Sequence, residues 1–518
     1  MRQTYIQDRK TSSKFSDKIL TLIFISSLLV SFGCTQKNHD PKESVTLAFT
    51  AQPKSIDPRI TTDATGQRLN SLIFSSFVRT DSVIDIKGEA AHKWDYKNKT
   101  YTFYLHKGLT FSNGDPVTKE DILYTFTEYL KPSNPFKSSF DLIDTVDANF
   151  DGENPIVKVK LKKFSAVFLT DLSLMKILPK KLIEQYGDTF GDHLVGSGAY
   201  KIASRNLSEI ILEARENPMY KPKVKYLVFK VIQDDSTRFL NAYKGSLDII
   251  QFGLPLTKIA YVEKQNKYNV FKYPGSSMNY MLLNLKDKDF QNKEFRWALS
   301  KALNRDEIIK YKLEGYGESA TSLLPSNNPY HNHDLKKIEY DPEAAKAGIQ
   351  KMNLKNKEFI LKTSNNPEVV EYARVIAAQL TRAGLNVKIQ SYEWGTFYGD
   401  VKSGNFQMAI MRWVGLTDPD IYRQAFHSRE FPPGRNRGFY SNPSLDPALD
   451  EGIVIEDVKK RIAHYNMIQK IIFDEQIIIP LWYNTLVDIV HKRITGYVPP
   501  VSGDLSPVYN IEIKESQQ

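Results

Sequence analysis

Residues 358–394 carry the pattern that most restricts the fold of this chain. "EFILKTSN" reads as a strand, Pro367–Ala383 has apolar residues at helical spacing, and "LNVKIQSYEW" alternates as a second strand. Gly384 stands where a helix often ends in a left-handed residue. A strand, helix, strand unit favours parallel pairing through a right-handed crossover, and ligands of such units bind at the carboxyl ends of the strands. We therefore expect a mixed α/β domain, with a binding site edged by Thr363, Ser364, Asn365 and the region of Trp394.

Residues 99–126 give a second set of local signals. Thr100–Leu105 alternates polar and apolar residues, which predicts a half-buried strand, and Asn113-Gly114 predicts a turn. Thr118 and Asp121 form a capping-box pattern that predicts the start of a helix. Short β-like runs alternate with helical patterns along the rest of the chain as well. Mixed α/β domains are therefore expected throughout.

The N-terminal segment predicts export. A basic opening precedes the apolar run Ile19–Val30, which is too short for a comfortable membrane span and typical of a signal peptide, here assigned to residues 1–33. Residues 34–44 are polar and predict a tether to the first domain. Close to 500 residues remain after the signal, and a single hydrophobic core cannot accommodate that many. Two or three domains are therefore expected.

Cys34 is the only cysteine among 518 residues, so the chain cannot hold an intrachain disulfide or a cluster of several thiols. Gly33-Cys34 is typical of a bacterial lipoprotein signal, whose cysteine takes a diacylglyceryl group. We favour this interpretation because a lone cysteine at this place is otherwise unexplained. Ser31-Phe32-Gly33 also fits the small-x-small rule of ordinary signal peptidase, which would leave Cys34 unmodified in a released protein.

Catalytic and metal-binding patterns are weak. The sequence has no GxSxG, HExxH, Walker loop, or GxGxxG after a strand. Gly196-Ser197-Gly198 has the wrong spacing for a nucleophile elbow and predicts a tight turn into a strand. His331 and His333 lack a third ligand nearby and are expected to be exposed loop residues. No catalytic residue, metal site or cofactor is therefore predicted, although an envelope hydrolase with paired carboxylates remains an alternative because their separation is spatial.

The net charge of +10 is scattered along the chain rather than concentrated in a run, so no nucleic-acid partner is expected. Several segments, in order, resemble the extracytoplasmic solute-binding proteins of the oligopeptide, dipeptide and nickel ABC importers, known as family 5. Residues 99–126 are similar to the most specific segment of that family, with His106 where arginine is usual and Lys119 where alanine is. The other segments that carry the resemblance are "SIDPR" (55–59), "VGSGAYKI" (195–202), "KGSLDI" (244–249), "FRWALSKALNRDEII" (295–309) and "YEWGTFYGDVKSGNFQMAIMRWVGLTDP" (392–419).

The resemblance implies an α/β, two-lobed periplasmic-binding-protein fold with two hinge crossovers and an additional inserted domain. Domain I would comprise residues 45–80, 169–272 and 493–518, domain II residues 81–168, and domain III residues 273–492. The protein would be a monomeric receptor rather than an enzyme, located in the periplasm or cell envelope and anchored through Cys34. Its partners would be ABC permease and ATPase subunits. The expected ligand is a peptide or peptide-like solute, with a nickel chelate or an oligosaccharide as alternatives.

The resemblance also implies site residues. Two strand-like segments would pair with the backbone of an extended peptide: Thr62, Asp63, Ala64 and Thr65 in one, and Arg412, Trp413 and Val414 in the other. Trp394 and Trp413 match tryptophans that line side-chain pockets.

Peptide receptors of this family place an aspartate shortly after the second tryptophan, to pair with the peptide α-ammonium. Here Gly415 or Leu416 occupies that place. We expect either that Asp63 or Asp418 has taken over the role, or that the ligand has a blocked or absent N-terminus. The positive charge of Arg412 favours the second alternative.

Overall fold

The computed structural model describes residues 40–80, 86–151, 154–251, 253–354, 357–432, 434–500 and 503–514. The chain divides into two units, residues 1–43 and residues 44–518, and all the architecture below belongs to the second. The signal peptide, Cys34 and most of the tether lie outside the described residues, so these assignments stay predictions. Within the described ranges, no helix is both long enough and apolar enough to pass through a bilayer.

The strands of the described residues are β1 Ser44–Phe49, β2 Val78–Thr80, β3 Ile86–Gly88, β4 Ala91–Lys97, β5 Thr100–Leu105, β6 Ile143–Asn149, β7 Ile156–Leu161, β8 Tyr200–Arg205, β9 Glu209–Ala214, β10 Tyr226–Val231, β11 Ile249–Gln251, β12 Tyr268–Leu283, β13 Gly317–Ser319, β14 Glu358–Ser364, β15 Asn386–Tyr392, β16 Met408–Val414, β17 Ile478–His491, β18 Ile494–Thr495 and β19 Glu512–Ile513.

The α-helices of the same residues are α1 Ala64–Ile73, α2 Lys119–Tyr129, α3 Lys137–Phe140, α4 Phe168–Leu172, α5 Lys180–Tyr186, α6 Asp235–Lys244, α7 Leu256–Glu263, α8 Lys293–Lys301, α9 Arg305–Lys312, α10 Pro342–Lys351, α11 Pro367–Arg382, α12 Trp394–Ser403, α13 Ile421–Phe426, α14 Asp446–Glu451 and α15 Val458–Glu475. Short 3-10 helices occupy Gly187–Asp192, Asp289–Gln291, Ser428–Glu430 and Ser506–Tyr509.

The local predictions for the two informative segments are confirmed. β14 and β15 pair in parallel through α11, and Gly384 has a φ of +99° just beyond the end of that helix. Thr118 and Asp121 form a reciprocal capping box at the start of α2, because the Asp121 carboxylate accepts from the Thr118 N–H while the Thr118 hydroxyl accepts from the Asp121 N–H. β5 spans the predicted strand, and Gly114 turns the chain with a φ of +94°.

One large sheet runs through most of the second unit. Its strand order is β15-β14-β16-β12-β17-β11-β1-β10-β9-β8, with β13 paired to β17. We call β11, β1, β10, β9 and β8 with their helices the first lobe, and β14, β15 and β16 with theirs the second lobe. A separate sheet of order β4-β5-β7-β6 packs with the first lobe, since Phe103 and Phe126 share a core with Val45 and Phe229.

β12 and β17 pass from one lobe to the other. They pair along almost their whole length, but their register shifts between Pro274 and Met278 and again between Asn279 and Tyr280. These two long strands are the crossovers of the predicted fold. The predicted domain boundary at 272/273 falls inside β12, and the one at 492/493 falls just after β17. The exact domain boundaries stay predictions.

Both faces of the sheet are covered in each lobe. In the second lobe, consecutive residues of β16 point to opposite faces, so that Met408 and Ile410 join a core with α8 and α11, whereas Ala409 and Met411 join a core with α12 and α15. In the first lobe, Ala242 of α6 and Ile259 of α7 cover the face opposite the four-stranded sheet. The prediction of a mixed α/β fold is confirmed.

Candidate functional site

Two cavities share one lining residue, Val414, the last residue of β16 in the second lobe. The first cavity has a volume of about 400 Å³ and is lined by Ala64 of α1, Ser173 and Asp504 among others. The second has a volume of about 720 Å³ and is lined by Arg412 and by residues of both lobes. Val414 is 73% exposed and lines both of them. We call the two cavities together the interlobe cleft.

β16 offers an open strand edge in this cleft. The strand pairs with β12 over its whole length, from Met408 to Val414, but with β14 only at Met408 and Ala409. In the ladders of the described residues, positions 410–414 therefore have no strand partner on that side. Unpaired strand edges are templates for pairing with another extended chain. This part of the predicted backbone ladder thus has the geometry that strand addition requires.

Trp413 is a wall residue beside this edge. It is 8% exposed, its ring stacks on Tyr280 at a centroid distance of 6.3 Å, and the guanidinium carbon of Arg437 lies 4.9 Å from its ring centroid. Arg437 also donates to the Tyr398 hydroxyl at 2.9 Å. Trp394 is 55% exposed and stacks on Tyr398 at 5.4 Å. Neither tryptophan lines the interlobe cleft, so their role in side-chain pockets stays a prediction.

The expectation that residues 62–65 are strand-like is wrong. Ala64 and Thr65 begin α1, Thr62 precedes it without pairing in a strand, and Asp63 is the N-cap. The Asp63 carboxylate accepts from the Gly66 N–H at 2.9 Å and from the Lys54 N–H at 3.2 Å. An aspartate that satisfies the free N–H groups of a helix start has a structural role. Of the four predicted residues, Ala64 lines the first cavity.

Asp418 is held by an arginine and does not line the cleft. Arg461 donates to its two carboxylate oxygens at 3.0 and 3.2 Å, and the Asp420 N–H donates to one of them at 2.8 Å. The Arg461 side chain is only 4% exposed, so its charge depends on this partner. Both acids expected to bind an α-ammonium are therefore engaged in structural contacts.

The segment that follows β14 lines the cleft, but the residues that do so come after the predicted Thr363, Ser364 and Asn365. Thr363 and Ser364 are buried and Asn365 is exposed, yet none of the three lines either cavity. Asn366, Pro367 and Glu368, at the start of α11, do line the second cavity. The second cavity is therefore lined from Asn366 onward, and a binding role for Thr363, Ser364 and Asn365 stays a prediction.

Charged residues of the first cavity were missed by sequence reasoning. Arg68, Arg79 and Lys176 line it together with the carboxylates of Glu89 and Asp504. Glu89 accepts from the Ser76 N–H at 2.7 Å and from the Tyr220 hydroxyl at 2.6 Å. Burial raises the pKa of Glu89 and lowers the pKa of Lys176. A cavity lined by positive and negative side chains is complementary to a ligand that carries both a positive and a negative group.

The weak catalytic and metal patterns have structural explanations. The Ser197 hydroxyl is buried against the Ser75 hydroxyl at 2.5 Å, and a Cβ on Gly196 would meet the Ile73 carbonyl oxygen at 2.1 Å. The predicted passage into a strand is confirmed, since β8 begins at Tyr200. His331 is buried rather than exposed, which corrects the prediction, and its Nδ1 lies 2.8 Å from the Leu324 carbonyl oxygen. The described residues contain no group of three side chains placed to hold a metal.

Comparisons with known proteins agree with this geometry. The family model described as bacterial extracellular solute-binding proteins, family 5 Middle, matches residues 85–431. The dipeptide-binding protein of Escherichia coli (strain K12) is 24% identical over 498 residues, covering 88% of this chain and 92% of that protein. The oligopeptide-binding protein AppA of Bacillus subtilis (strain 168) is 27% identical over 550 residues, covering 97% and 98%. The solved structure of AppA from Bacillus subtilis in complex with a nonapeptide is similar with a TM-score of 0.74 at 23% identity, covering 92% of this chain and 100% of that one.

Proposed function

Because this chain belongs to family 5 of the bacterial extracellular solute-binding proteins, we propose that it captures peptides in the interlobe cleft and delivers them to the permease of an ABC importer. The similarity to a dipeptide-binding and an oligopeptide-binding protein, each aligned over most of its length, supports a peptide ligand. In this proposal the chain is a monomeric receptor without catalytic activity. It works outside the cytoplasm, held to a membrane through an acylated Cys34.

The open edge of β16 is the observation that carries the peptide assignment. On the side away from β12, positions 410–414 face no other strand of the described residues, and the exposed Val414 at the end of β16 lines both cavities. A peptide that adds to this edge gains backbone hydrogen bonds that do not depend on its side chains. Such an arrangement suits a receptor for peptides of many sequences.

Charges at the two ends of the cleft orient the ligand. The Arg412 Nε donates to the Asn279 side chain at 3.0 Å, which fixes the guanidinium in the second cavity. It is positioned there to pair with a carboxylate of the ligand. At the other end the first cavity contains Glu89 and Asp504. Asp63 and Asp418 are engaged elsewhere, and the two acids of the first cavity lie beside three cations, Arg68, Arg79 and Lys176, so the ligand in this proposal has a blocked or absent N-terminus.

Ligand capture closes the lobes about β12 and β17. The Ala166 N–H, on the side of the four-stranded sheet, donates to the Ile453 carbonyl of the second lobe at 3.2 Å, so the lobes already touch beside the cleft. A ligand that contacts both lobes binds the closed state more tightly than the open state and shifts the equilibrium toward it. Closure then presents one defined surface to the permease.

The experiment that tests this function has two stages. Protein purified from its native host is denatured, and the released small molecules are identified by mass spectrometry; peptides are expected. Synthetic copies, free and N-acetylated, are then titrated by calorimetry into the wild type and into Asp504→Asn. The acetylated form should bind at least as tightly as the free one. A tenfold preference for the free peptide that Asp504→Asn removes would contradict the blocked N-terminus and move the ammonium site to the first cavity.

A further inference from the structure

The outer surface of α6 and α7 in the first lobe carries aromatic and basic side chains that line neither cavity of the interlobe cleft. Tyr243 and Tyr261 are 41% and 56% exposed, while Ala242 and Val262 beside them face the core. Lys258 of α7 reaches toward α6, since its Nζ lies 5.5 Å from the Phe239 ring centroid and 5.6 Å from that of Tyr261. The two helices therefore present one continuous outer surface.

Basic residues extend this surface beyond the helix ends. The Lys267 Nζ donates to the carbonyls of Tyr243 and Lys244 at 3.4 and 3.3 Å, and these hydrogen bonds cap the C-terminal end of α6. Lys264 is exposed nearby, in the same segment that follows α7. The Lys492 N–H donates to the Lys267 carbonyl at 2.8 Å, and Lys492 is exposed too. We call Tyr243, Lys244, Lys258, Tyr261, Lys264 and Lys267 the basic aromatic face.

Basic residues outnumber acids beyond the start of α6, where the exposed Asp234 and Asp235 lie. Among the described residues from 244 to 267, four lysines stand against two acids, Asp248 and Glu263. Asp248 is already paired with Arg493, and Glu263 lies 3.8 Å from Lys272. Neither of these two acids is paired with a lysine of the face, so the four lysines can interact with a partner of opposite charge.

The end of α6 lies close to the start of β1, where the chain continues back toward Cys34. β1 begins at Ser44, whose carbonyl accepts from Arg493 at 2.9 Å, and the Thr46 N–H donates to Asp248 at 2.7 Å. Asp248 follows the end of α6 by four residues. Ten residues of tether span at most roughly 35 Å when fully extended. If Cys34 is anchored as proposed, the length of the chain limits the distance from the bilayer to the start of β1 to that value.

We propose that the basic aromatic face rests on the anionic phospholipid headgroups of the membrane that holds the chain. Lysine side chains are attracted to an anionic lipid surface, and tyrosine suits the interface because its ring is apolar and its hydroxyl polar. Contact here orients the first lobe on the membrane and leaves the interlobe cleft to the permease. The proposal does not depend on the nature of the ligand, but it rests on the membrane anchor at Cys34 that is part of the proposed function.

Vesicle flotation tests the proposal without the lipid anchor. The exported chain carrying Cys34→Ser is mixed with vesicles of phosphatidylcholine alone or with an equal part of phosphatidylglycerol. Binding to the anionic vesicles that weakens with added salt is expected. Lys244→Gln with Lys264→Gln should weaken it about fivefold for each lysine removed. Lys97→Gln with Lys158→Gln, two exposed lysines of the four-stranded sheet, is the matched control and should bind as the unsubstituted chain does.

Equal binding to neutral and anionic vesicles, no binding to either at low salt, or an equal loss in the control variant would each overturn the proposal. Peptide titration of the same variants separates this result from the proposed function. If the face acts as we propose, Lys244→Gln with Lys264→Gln keeps the peptide affinity of the wild type. A loss of peptide affinity in that variant would mean that the face acts on the cleft rather than on lipid.

Discussion

Replacing Asp418 with asparagine distinguishes a structural acid from a ligand-binding one. In the structure Arg461 donates to both Asp418 oxygens, and its Nε donates to the Gly452 carbonyl at 3.0 Å. Asparagine keeps the shape of the side chain but removes its charge. The Arg461 guanidinium would then be a buried cation without a counter-charge.

The expected cost follows from the burial of the two partners. Breaking a buried ion pair by removing one partner costs about 3–5 kcal/mol, because the other charge stays desolvated. The Arg461 side chain is 4% exposed and that of Asp418 is 21% exposed, so water reaches part of the site. We therefore expect the lower end, a loss of about 3 kcal/mol in the free energy of unfolding. The exposed pair Lys470–Asp474 gives the matched control, since Asp474→Asn should cost only about 0.5 kcal/mol.

Urea denaturation followed by circular dichroism measures both losses, and calorimetry with matched free and N-acetylated peptides measures the ligand preference. Asp418→Asn should be clearly less stable than Asp474→Asn, and both should keep the wild-type ratio of the two peptide affinities. A stable Asp418→Asn variant that has lost a preference for the free peptide would refute the structural assignment of this acid.

Three further changes test other parts of the account. Burial, with the negative charges of Asp418 and Asp420, raises the pKa of Asp171 to about 7. The folded state therefore holds this proton more tightly than the unfolded state. The free energy of unfolding should fall as pH rises from about 4 through about 7, by up to about 1.4 kcal/mol per pH unit. In urea titrations Asp171→Asn should flatten this fall, and an unchanged pH profile would contradict the burial of this acid. The Tyr273 hydroxyl of β12 donates to the buried Asp488 of β17 at 2.8 Å. Tyr273→Phe should therefore lower the free energy of unfolding by about 2 kcal/mol. A variant as stable as the wild type would rule out this link between the crossovers. Cys34→Ser should move the protein from the membrane to the soluble envelope fraction; identical fractionation, with an unmodified native N-terminus by mass spectrometry, would show that Cys34 is not acylated.

Local sequence signals predicted local structure well. The β14-α11-β15 unit and the capping box of α2 depend on residues within one short segment, and each adopts the predicted form. Asp63 shows where the resemblance predicted the wrong local structure. The structure places it at the N-cap of α1 rather than in a strand-like segment.

Contacts between distant segments were not visible in the sequence. Asp418 pairs with Arg461, 43 residues away, and the burial of His331 depends on how its loop packs against Leu324 and Ser322. The open edge of β16 depends on β14 diverging after Lys362, which no pattern within either strand encodes. Such features are set by the packing of whole elements, whereas periodicity and capping report only on single elements.

Strand addition along β16 is the central claim, and backbone N-methylation of the ligand tests it most directly. A peptide identified in the released fraction is compared by calorimetry with copies that are N-methylated at successive single positions. Each methyl group removes one backbone donor and leaves the side chains unchanged. The account predicts that methylation at alternate positions weakens binding at least tenfold, because only every second residue of a paired strand directs its N–H to the partner. Equal affinity for every methylated copy would contradict it.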